Sequence, residues 1–437
     1  MTDAFRSYQT DYLFLLVGEN PLPNYVAAKL LLKEEGTLYL VYSKGTTNQA
    51  ERLDKILRTE QFETETVSLE DYESDAYRIK KRIQECLRPP ANQLSIGLHY
   101  SGGTKPMAVH AYRALLEHSS KQQQEVVFSY LNPRQLKICI DRLDNDSDNI
   151  PVRPQDLEIQ LETIFELHGR KSKSSKKFIR TPHMPNLATA LAETVADRTT
   201  AKHWFDWFLE VFCKGGGTEK LAARKPRKSN GKPGNWKSKT ALGELFFSTN
   251  DMPQAIKNVL RDKGYINSQD RLSLAEIKEI GDFNKATEFC SWLDGFWFEH
   301  YVLQQIITLS EILNIADYGL NFDFELQGTK DGFEFDVAFT HGYQLFAISC
   351  TTFGDQDGQR SACKLKFLEA YIRAQQMGGT EARVALVCLA DEPGSIKSEL
   401  ANFLKNEQIK VFGRKQLMSL DHEIATWIKD NDAELNR

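Results

Sequence analysis

Short apolar stretches alternate with amphipathic stretches over residues 11–140, and this alternation constrains the fold of the 437-residue chain more than any other feature. The apolar stretches are rich in Leu, Val, Ile and Tyr, as buried strands are, and the amphipathic stretches have the period of helices. Strands that alternate with helices form a parallel sheet with helices on its faces, so residues 1–150 are expected to form a Rossmann-like α/β domain. The predicted strands are 12–17, 37–42, 63–67, 94–100, 125–130 and 136–140, and the predicted helices are 24–33, 48–58, 69–87 and 106–118.

Polar loops that contain Gly or Pro follow three of the predicted strands. Because right-handed crossovers place the carboxyl ends of parallel strands at one edge, these loops should converge there. The third loop, residues 101–106, joins two adjacent glycines to Lys105 and to the start of a helix. Glycines let the backbone approach a ligand, and a helix N-terminus attracts anions, so this loop suits a phosphate or a ring of phosphates.

An ordinary strand–turn–helix corner has the same local pattern, so the loop by itself leaves both interpretations open. The chain has neither the G-x-G-x-x-G spacing of a dinucleotide site nor a P-loop. The candidate ligand-binding residues in the three loops are Gly18, Asn20, Pro23, Asn24, Ser43, Lys44, Ser101, Gly102, Gly103, Thr104, Lys105 and Pro106.

Composition indicates a globular protein of two or three domains, with 41% hydrophobic and 11% aromatic residues. No apolar run approaches the ~20 residues of a membrane span, and no signal peptide is indicated. The seven cysteines are scattered without a C-x-x-C pair, which favours reduced thiols and argues against a zinc knuckle or a disulfide framework. We therefore expect a cytoplasmic protein without a membrane partner.

The net charge of -5 conceals two basic stretches in the middle of the chain. Residues 167–184 carry six Lys or Arg and no acid, and residues 214–240 carry nine Lys or Arg and one acid. Such stretches are typical of surfaces that contact a polyanion, but a solvated linker has the same composition. Helical patterns around them predict a basic helical or winged-helix-like middle domain over residues 151–288.

The last third of the chain, residues 289–437, has the element order of the restriction-endonuclease-like core. A strongly apolar helix at 292–312 precedes strands at 318–326, 333–340 and 343–350, and a helix at 361–377 and strand at 383–389 follow. Such cores place a carboxylate from the first helix near an Asp on the second strand, with an acid-x-lysine pair on the third. Hard oxygen ligands of this kind hold a divalent ion against a phosphate.

Glu299 and Asp336 are the candidate carboxylates, and both are candidate metal ligands. Glu299 could instead lie on the surface of its helix, and Asp336 could be a buried salt-bridge partner. On the third strand, Ser349 takes the position of the acid, and the carbonyl of Ile348 or Cys350 could bind the ion.

Thr351 stands where the active-site lysine is expected, and a hydroxyl cannot replace an ammonium. Lys364 and Lys366, on the following helix, are the candidates to supply the missing charge. Which of the two does so is left open by the sequence.

Both ends of the chain resemble one family, the CARF-domain nucleases that accompany type III CRISPR systems. Residues 17–24 are similar to its first-strand motif, and residues 101–107 are close to its Ser/Thr-Gly-Gly-Thr-Lys-Pro-Met signature. Glu299, Phe333–Asp336, Ile348-Ser349-Cys350 and Gly378-Gly379 resemble its nuclease half, from which Thr351 departs. The resemblance covers about two-thirds of the chain and leaves the basic middle unmatched.

The resemblance implies a homodimer that binds a cyclic oligoadenylate, most often cyclic tetra-adenylate, across its two-fold axis. Binding then activates a nuclease that uses Mn2+ or Mg2+ to cut DNA or RNA. Two alternatives remain: a ligand-gated nucleic-acid-binding protein with an inactive nuclease domain, and a ring nuclease that degrades the cyclic oligoadenylate. Ring size and the type of nucleic acid are not determined by the sequence.

Overall fold

The computed structural model describes residues 3–87, 94–123, 125–142, 145–170, 178–226, 228, 232–275, 277, 283, 285–324, 333–356 and 358–435. Within these ranges the chain builds two larger sheets and one small one. The N-terminal sheet and the C-terminal sheet are separate, and a mostly helical region lies between them in the chain.

The N-terminal sheet is Rossmann-like, as the sequence predicts. Its described strands have the order β3-β2-β1-β4-β5-β6-β7, with β1 to β5 parallel and the last two antiparallel. β1 is the middle one of the five parallel strands, where it pairs with both β2 and β4, and its residues 13–16 are essentially inaccessible to solvent. The strands are β1 (Thr10–Leu16), β2 (Leu32–Tyr42), β3 (Glu63–Ser68), β4 (Ile96–His99), β5 (Val126–Asn132), β6 (Lys137–Ile140) and β7 (Asp148–Pro151).

Four helices accompany these strands: α1 (Leu22–Leu31), α2 (Thr47–Thr59), α3 (Ala76–Cys86) and α4 (Lys105–Gln122). The prediction that α3 begins at residue 69 is wrong. The Asp75 side chain accepts a hydrogen bond from the backbone N–H of Arg78 and caps the helix, so residues 69–75 form a turn instead.

The middle region is mainly helical and contains one small antiparallel sheet of β8 (Phe246–Ser248) and β9 (Arg271–Ser273). A π-helical segment, Trp207–Cys213, follows α7 directly. The α-helices are α5 (Leu161–Leu167), α6 (Pro185–Ala196), α7 (Arg198–Asp206), α8 (Lys239–Gly243) and α9 (Gln254–Asp262).

The C-terminal sheet has the described order β10-β11-β12-β13-β14, antiparallel from β10 to β12 and parallel from β12 to β14. Its strands are β10 (Ile315–Phe324), β11 (Phe333–His341), β12 (Gln344–Cys350), β13 (Arg383–Val387) and β14 (Lys410–Phe412). The helices are α10 (Ala286–Ser291), α11 (Trp297–Ser310), α12 (Gln359–Gly378), α13 (Pro393–Leu404) and α14 (Leu420–Leu435). A π-helical segment, Trp292–Phe296, precedes α11 because Gly295 leaves the helical conformation.

None of the described helices is both long and apolar enough to cross a membrane. All seven cysteines lie in the described ranges as free thiols, and six of them are buried.

The two larger sheets share an apolar core. One cluster of buried side chains contains Leu15 and Leu40 from the first sheet together with Phe335 and Leu345 from the second. Phe165 on α5, which is 1% exposed, lies in this cluster. Its ring centroid is 5.4 Å from that of Phe322 and 6.3 Å from that of Phe335. The joint between the sheets is therefore built like a protein interior.

Replacing the ring that lies at this joint should destabilise the whole chain. Phe165→Ala is expected to lower the free energy of unfolding by about 3–5 kcal/mol, because it removes a buried ring and leaves a cavity. Phe403→Ala is the matched control, since Phe403 is 74% exposed and its loss should change stability by less than about 0.5 kcal/mol. Urea unfolding measures both values, and equal stability of the two variants would contradict the shared core.

Candidate functional site

The polar loops after β1, β2 and β4 converge on a pocket of about 1060 Å³, which we call the loop pocket. They meet because the three strands are parallel neighbours whose carboxyl ends lie at one edge of the sheet. The lining residues are Val17, Gly18, Glu19, Asn20, Pro23, Ser43, Gly45, Thr46, Gln49, Glu73, Ser101, Gly102, Gly103, Thr104, Met107, Leu131, Pro133, Gln375, Gly379, Thr380 and Glu381.

Eight of the twelve residues predicted to bind a ligand line this pocket, and four do not. Asn24 is fully buried and donates a hydrogen bond from Nδ2 to the carbonyl of Leu16. It therefore stabilises the loop after β1 without lining the pocket. Lys44 is exposed and pairs with Asp71. Lys105 is exposed at the first turn of α4, and Pro106 follows it outside the lining.

Glycine-rich loops, the N-termini of three helices and carboxylate side chains form the polar part of the loop pocket. Its described lining contains no Lys or Arg, although it contains three glutamates. Three helices, α1, α2 and α4, begin at the loops that form it, and each has a partial positive charge at its N-terminus. In α1 the Leu22 N–H is already capped by Asn20 Oδ1, and both α1 and α4 have a proline, which lacks an N–H, in the first turn. The Thr104 hydroxyl caps α4 by accepting a bond from the Met107 N–H. Such an edge binds anions without a cationic side chain.

The loops after β1 and β4 approach each other as closely as glycine allows. A β-carbon on Gly102 would overlap the carbonyl oxygen of Leu16 and lie 2.8 Å from the Gly18 nitrogen. One on Gly18 would lie 2.8 Å from the nitrogen of Gly103, which itself has a φ of +74°. The paired glycines are therefore required by the packing of the two loops.

The C-terminal half of the chain forms part of the same pocket, which sequence reasoning missed. Gln375 near the end of α12 and residues 379–381 after it line the pocket opposite the glycine loops. The only local signal was the Gly378-Gly379 pair, which ends the helix with Gly379 at a φ of +68°. A single sequence does not show that the turn at residues 379–381, 275 or more positions from the glycine loops, lies next to them in the fold.

Glu381 is the most unusual of the lining residues. It is 1% exposed, and its Oε1 has no hydrogen-bond partner. Burial raises the pKa of the Glu381 carboxyl to about 7, although the charge of Arg383 opposes that shift. A carboxyl group of this kind is present in both protonation states near neutral pH.

A second group of polar side chains, the Asp336 cluster, lies in the C-terminal sheet. It comprises Asp336 on β11, Ser349 and Cys350 at the end of β12, and Lys366 on α12. Asp336 Oδ2 accepts hydrogen bonds from the Cys350 backbone N–H at 2.7 Å and from the Ser349 hydroxyl at 3.2 Å. The Lys366 ammonium lies 2.9 Å from the same oxygen and donates to the Cys350 carbonyl at 2.5 Å.

The structure brings Lys366, and not Lys364, to the carboxylate. Lys364 pairs with Glu399 at 2.8 Å on the adjacent helix α13. Although burial opposes it, the charges of Asp336 and Glu299 raise the pKa of Lys366 above its usual value. The Thr351 hydroxyl accepts a bond from the Phe353 N–H and so supports the turn after β12. Lys366, on the helix that follows β12, is thus the lysine of the two that lies beside the Asp336 carboxylate.

Glu299 lies in the first turn of α11 and is 8% exposed, close enough for its charge to act on Lys366 and Cys350. No three His, Cys, Asp or Glu side chains of the described residues form a metal-holding group. Asp336 and Glu299 are nevertheless hard oxygen donors, as are the carbonyls of Ile348 and Cys350, although the Cys350 carbonyl already accepts from the Lys366 ammonium. Mg2+ commonly takes one or two carboxylates and keeps several waters. The donor set therefore fits such an ion.

The glycine packing can be tested without a ligand. Gly102→Ala should lower the free energy of unfolding by roughly 1–3 kcal/mol, because the added methyl group forces the loops after β1 and β4 apart. Gly45→Ala is the matched control in the same pocket, since its β-carbon would be 3.7 Å from the nearest atom, the Ser43 hydroxyl. Chemical denaturation measures both, and an equally stable Gly102→Ala protein would refute the close approach.

The pKa of Glu381 predicts a pH dependence of stability. The pKa of the Glu381 carboxyl is about 7 in the folded protein and 4.5 in the unfolded chain. The neutral carboxyl therefore makes its full contribution to the free energy of unfolding below pH 4.5, and this contribution is lost as the pH rises toward 7. The loss amounts to roughly 3 kcal/mol at pH 8. Glu381→Gln has no titrating group at this position. The free energy of unfolding of Glu381→Gln minus that of wild type should therefore be roughly 2 kcal/mol larger at pH 8 than at pH 5.

Thermal or urea unfolding at the two pH values measures this difference. Glu19→Gln, at an exposed position in the same pocket, is the control and should show no comparable change. A Glu381→Gln profile parallel to that of wild type would show that the carboxyl is not buried as described.

Solved structures with the same fold include the two described next. Protein VC1899 from Vibrio cholerae matches with a TM-score of 0.62 and 16% identity, over 96% of this chain and 99% of that one. Can2 from Sulfobacillus thermosulfidooxidans, solved in complex with cyclic tetra-adenylate, matches with a TM-score of 0.61 and 16% identity, over 95% and 99%. A scan of protein-family models finds no match, and neither does a search of curated proteins.

At this level of identity the likeness establishes the architecture. The resemblance that the sequence motifs indicated is confirmed in that sense, since it extends over both halves and the middle. The chain has the fold of Can2 and of VC1899 along almost its whole length.

Proposed function

We propose that the chain is a nuclease of type III CRISPR antiviral defence, activated by a cyclic oligoadenylate and dependent on Mn2+ or Mg2+. In this proposal residues 1–150 are the sensor domain, residues 151–288 are a basic middle domain and residues 289–437 are the nuclease domain. The observation that carries the proposal is the meeting of Lys366 with Asp336 beside Glu299, which restores the charge missing at Thr351.

The loop pocket supports the sensor part. A ring of phosphates needs several anion contacts at once, and the pocket supplies the N-termini of three helices and a glycine-rich backbone. Can2 has the same fold and binds cyclic tetra-adenylate. Because the ring is symmetric, a homodimer with two copies of the pocket facing each other would suit it.

The Asp336 cluster supports the nuclease part. Asp336 and Glu299, with the carbonyls of Ile348 and Cys350, would hold the divalent ion, which would withdraw electron density from the scissile phosphate. The Lys366 ammonium would donate to the charge that develops on the phosphate oxygens. The backbone N–H of Cys350 and the hydroxyl of Ser349 orient the Asp336 carboxylate for this task.

The middle domain would contact the nucleic acid. Lys225 and Lys228 are exposed there, whereas Arg224 stacks on Trp236 and pairs with Asp294. Exposed lysines interact with phosphates without regard to sequence. Lys225 and Lys228 are therefore among the lysines of this segment that are available to a DNA or RNA backbone.

The proposal is tested by incubating the protein with Mn2+ and cyclic tetra-adenylate together with plasmid, single-stranded DNA and RNA. Cleavage that needs both the ring and the metal is the expected result. Binding of nucleic acid without cleavage would favour a ligand-gated binding protein. Metal-independent loss of the ring would favour a ring nuclease.

The two lysines make a sharp prediction for catalysis. Lys366→Ala should reduce cleavage by about 10²–10³-fold, because it removes an electrostatic donor to the phosphate. Lys364→Ala is the matched control on the same helix and should keep near-wild-type activity, since its ammonium pairs with Glu399. Single-turnover cleavage rates at a saturating concentration of cyclic tetra-adenylate compare the two variants. The affinity for the ring should be unchanged in both. Equal rates for the two variants would refute the assignment.

A further inference from the structure

We propose that a basic arm in the middle region holds the phosphate backbone of the nucleic acid in a fixed position relative to the nuclease site. The arm comprises residues 223–226 and 234–237, two antiparallel segments joined by the bridge between Arg224 and Trp236. The inference rests on the proposed function, because it concerns the substrate of the same site. It assigns Arg224 and Asp294 as positioning residues, which the basic composition of the segment does not indicate.

The two segments of the arm are closely paired. The Lys225 N–H donates to the Asn235 carbonyl at 2.9 Å, and the Lys237 N–H donates to the Ala223 carbonyl at 2.9 Å. A β-carbon on Gly234 would overlap the carbonyl oxygen of Lys225, so only glycine lets the segments approach this closely. The paired segments therefore have a defined shape.

Arg224 fastens the arm to the chain that leads into α11. Its guanidinium lies 3.7 Å from the centroid of the Trp236 ring, donates to the Gly234 carbonyl at 3.0 Å and pairs with Asp294. The Trp236 indole N–H donates to the Ser291 hydroxyl at 3.1 Å. A planar guanidinium stacks on a ring and pairs with a carboxylate at the same time, which an ammonium does not. We call this set of contacts the Arg224 clamp.

Both π-helical segments of the described residues lie at the base of the arm. The carbonyls of the last two residues of Trp207–Cys213 accept hydrogen bonds from the N–H groups of Ala223 and Arg224, at 3.0 and 3.3 Å. The other segment, Trp292–Phe296, contains Asp294. Single π-helical turns occur frequently at functional sites. The attachment of one arm to both of them supports a functional role for its position.

The Arg224 clamp also places the arm near the candidate metal ligands. Glu299 follows Asp294 by five positions, so the two α-carbons are at most about 18 Å apart, and closer where the chain is helical. The charge of Glu299 in turn acts on Lys366. A DNA strand advances about 3.4 Å along the helix axis per phosphate, so this span corresponds to roughly five nucleotides. One bound nucleic acid can therefore contact the arm and the nuclease site together.

The exposed side chains of the arm and its flanks suit a phosphate backbone. Residues 220–243 contain no Asp or Glu. The exposed lysines among the described residues of this stretch are Lys220, Lys225, Lys228, Lys232 and Lys239. Lysines bind phosphates without regard to sequence, whereas the Arg224 side chain is only 18% exposed and is engaged in the clamp. The lysines would thus provide affinity, and the clamp would provide position.

The test separates binding of the nucleic acid from its cleavage, with Asp294→Asn and Arg224→Lys as clamp variants. Both should keep affinity for an end-labelled substrate within about threefold of wild type, because the exposed lysines remain. Both should lower the single-turnover cleavage rate at saturating substrate by about tenfold or more and spread the cut positions, since a shift of ~1 Å can cost up to 10²-fold. The double variant Lys225→Ala/Lys228→Ala should instead weaken binding and flatten its salt dependence.

Asp206→Asn is the matched control. It removes an exposed ion pair with Lys202 from the same middle region and should change neither the cleavage rate nor the cut positions. Clamp variants that cut at the wild-type rate and positions would overturn the inference. So would a loss of binding that accounts for the whole loss of cleavage. Failure of wild type to cut any nucleic acid with ring and metal present would reject the proposed function itself, and so differs from both of these outcomes.

Discussion

The apolar joint between the two larger sheets is the constraint on which the rest of the structure depends. Phe165 packs against Phe322 and Phe335 in a cluster that also contains Leu13 and Leu15 of β1. Close-packed protein interiors have low compressibility, so a displacement of one packed element is passed on to its neighbours. The two halves are consequently held in a defined relation, and a single pocket can be lined by loops from one and a turn from the other.

Helix α12 connects the two candidate sites. Lys366 lies near its beginning, where it contacts Asp336, and Gln375 lies near its end, where it lines the loop pocket. The separation of nine positions corresponds to about 14 Å of helix. A ligand can shift such an element only if it binds one position of the helix more tightly than another. The contacts at residues 375–381 provide a place where such a difference would arise.

Charge is distributed differently in the two sites. The described lining of the loop pocket has backbone donors, helix N-termini and carboxylates, but no cationic side chain. The Asp336 cluster has a full ammonium held between a carboxylate and a carbonyl. The first arrangement suits recognition of a ligand that carries both phosphates and hydroxyls. The second suits stabilisation of charge on a single phosphate, where a localised cation is most effective.

Much of the architecture follows from local sequence pattern. The alternation of apolar and amphipathic segments predicts the parallel sheet, because a buried strand and a covering helix have different periods. The glycines of residues 102–103 are visible in the sequence, but the atoms that exclude a β-carbon on Gly102 belong to Leu16 and Gly18 on the other side of the contact. The predicted start of α3 was wrong because the amphipathic pattern continues on the N-terminal side of Asp75. The helix begins only after Asp75, whose side chain caps it through one hydrogen bond.

The sequence by itself determined the strand and helix order, the glycine loops and the carboxylates Glu299 and Asp336 as candidates. Only the tertiary structure placed Lys366, and not Lys364, beside Asp336, because both lie on one helix and the contact depends on which side of it faces β12. It alone placed Glu381 in the loop pocket and moved Asn24 and Lys105 out of its lining. Periodicity records which face of an element is buried, whereas contacts between elements hundreds of residues apart are set by how those faces pack.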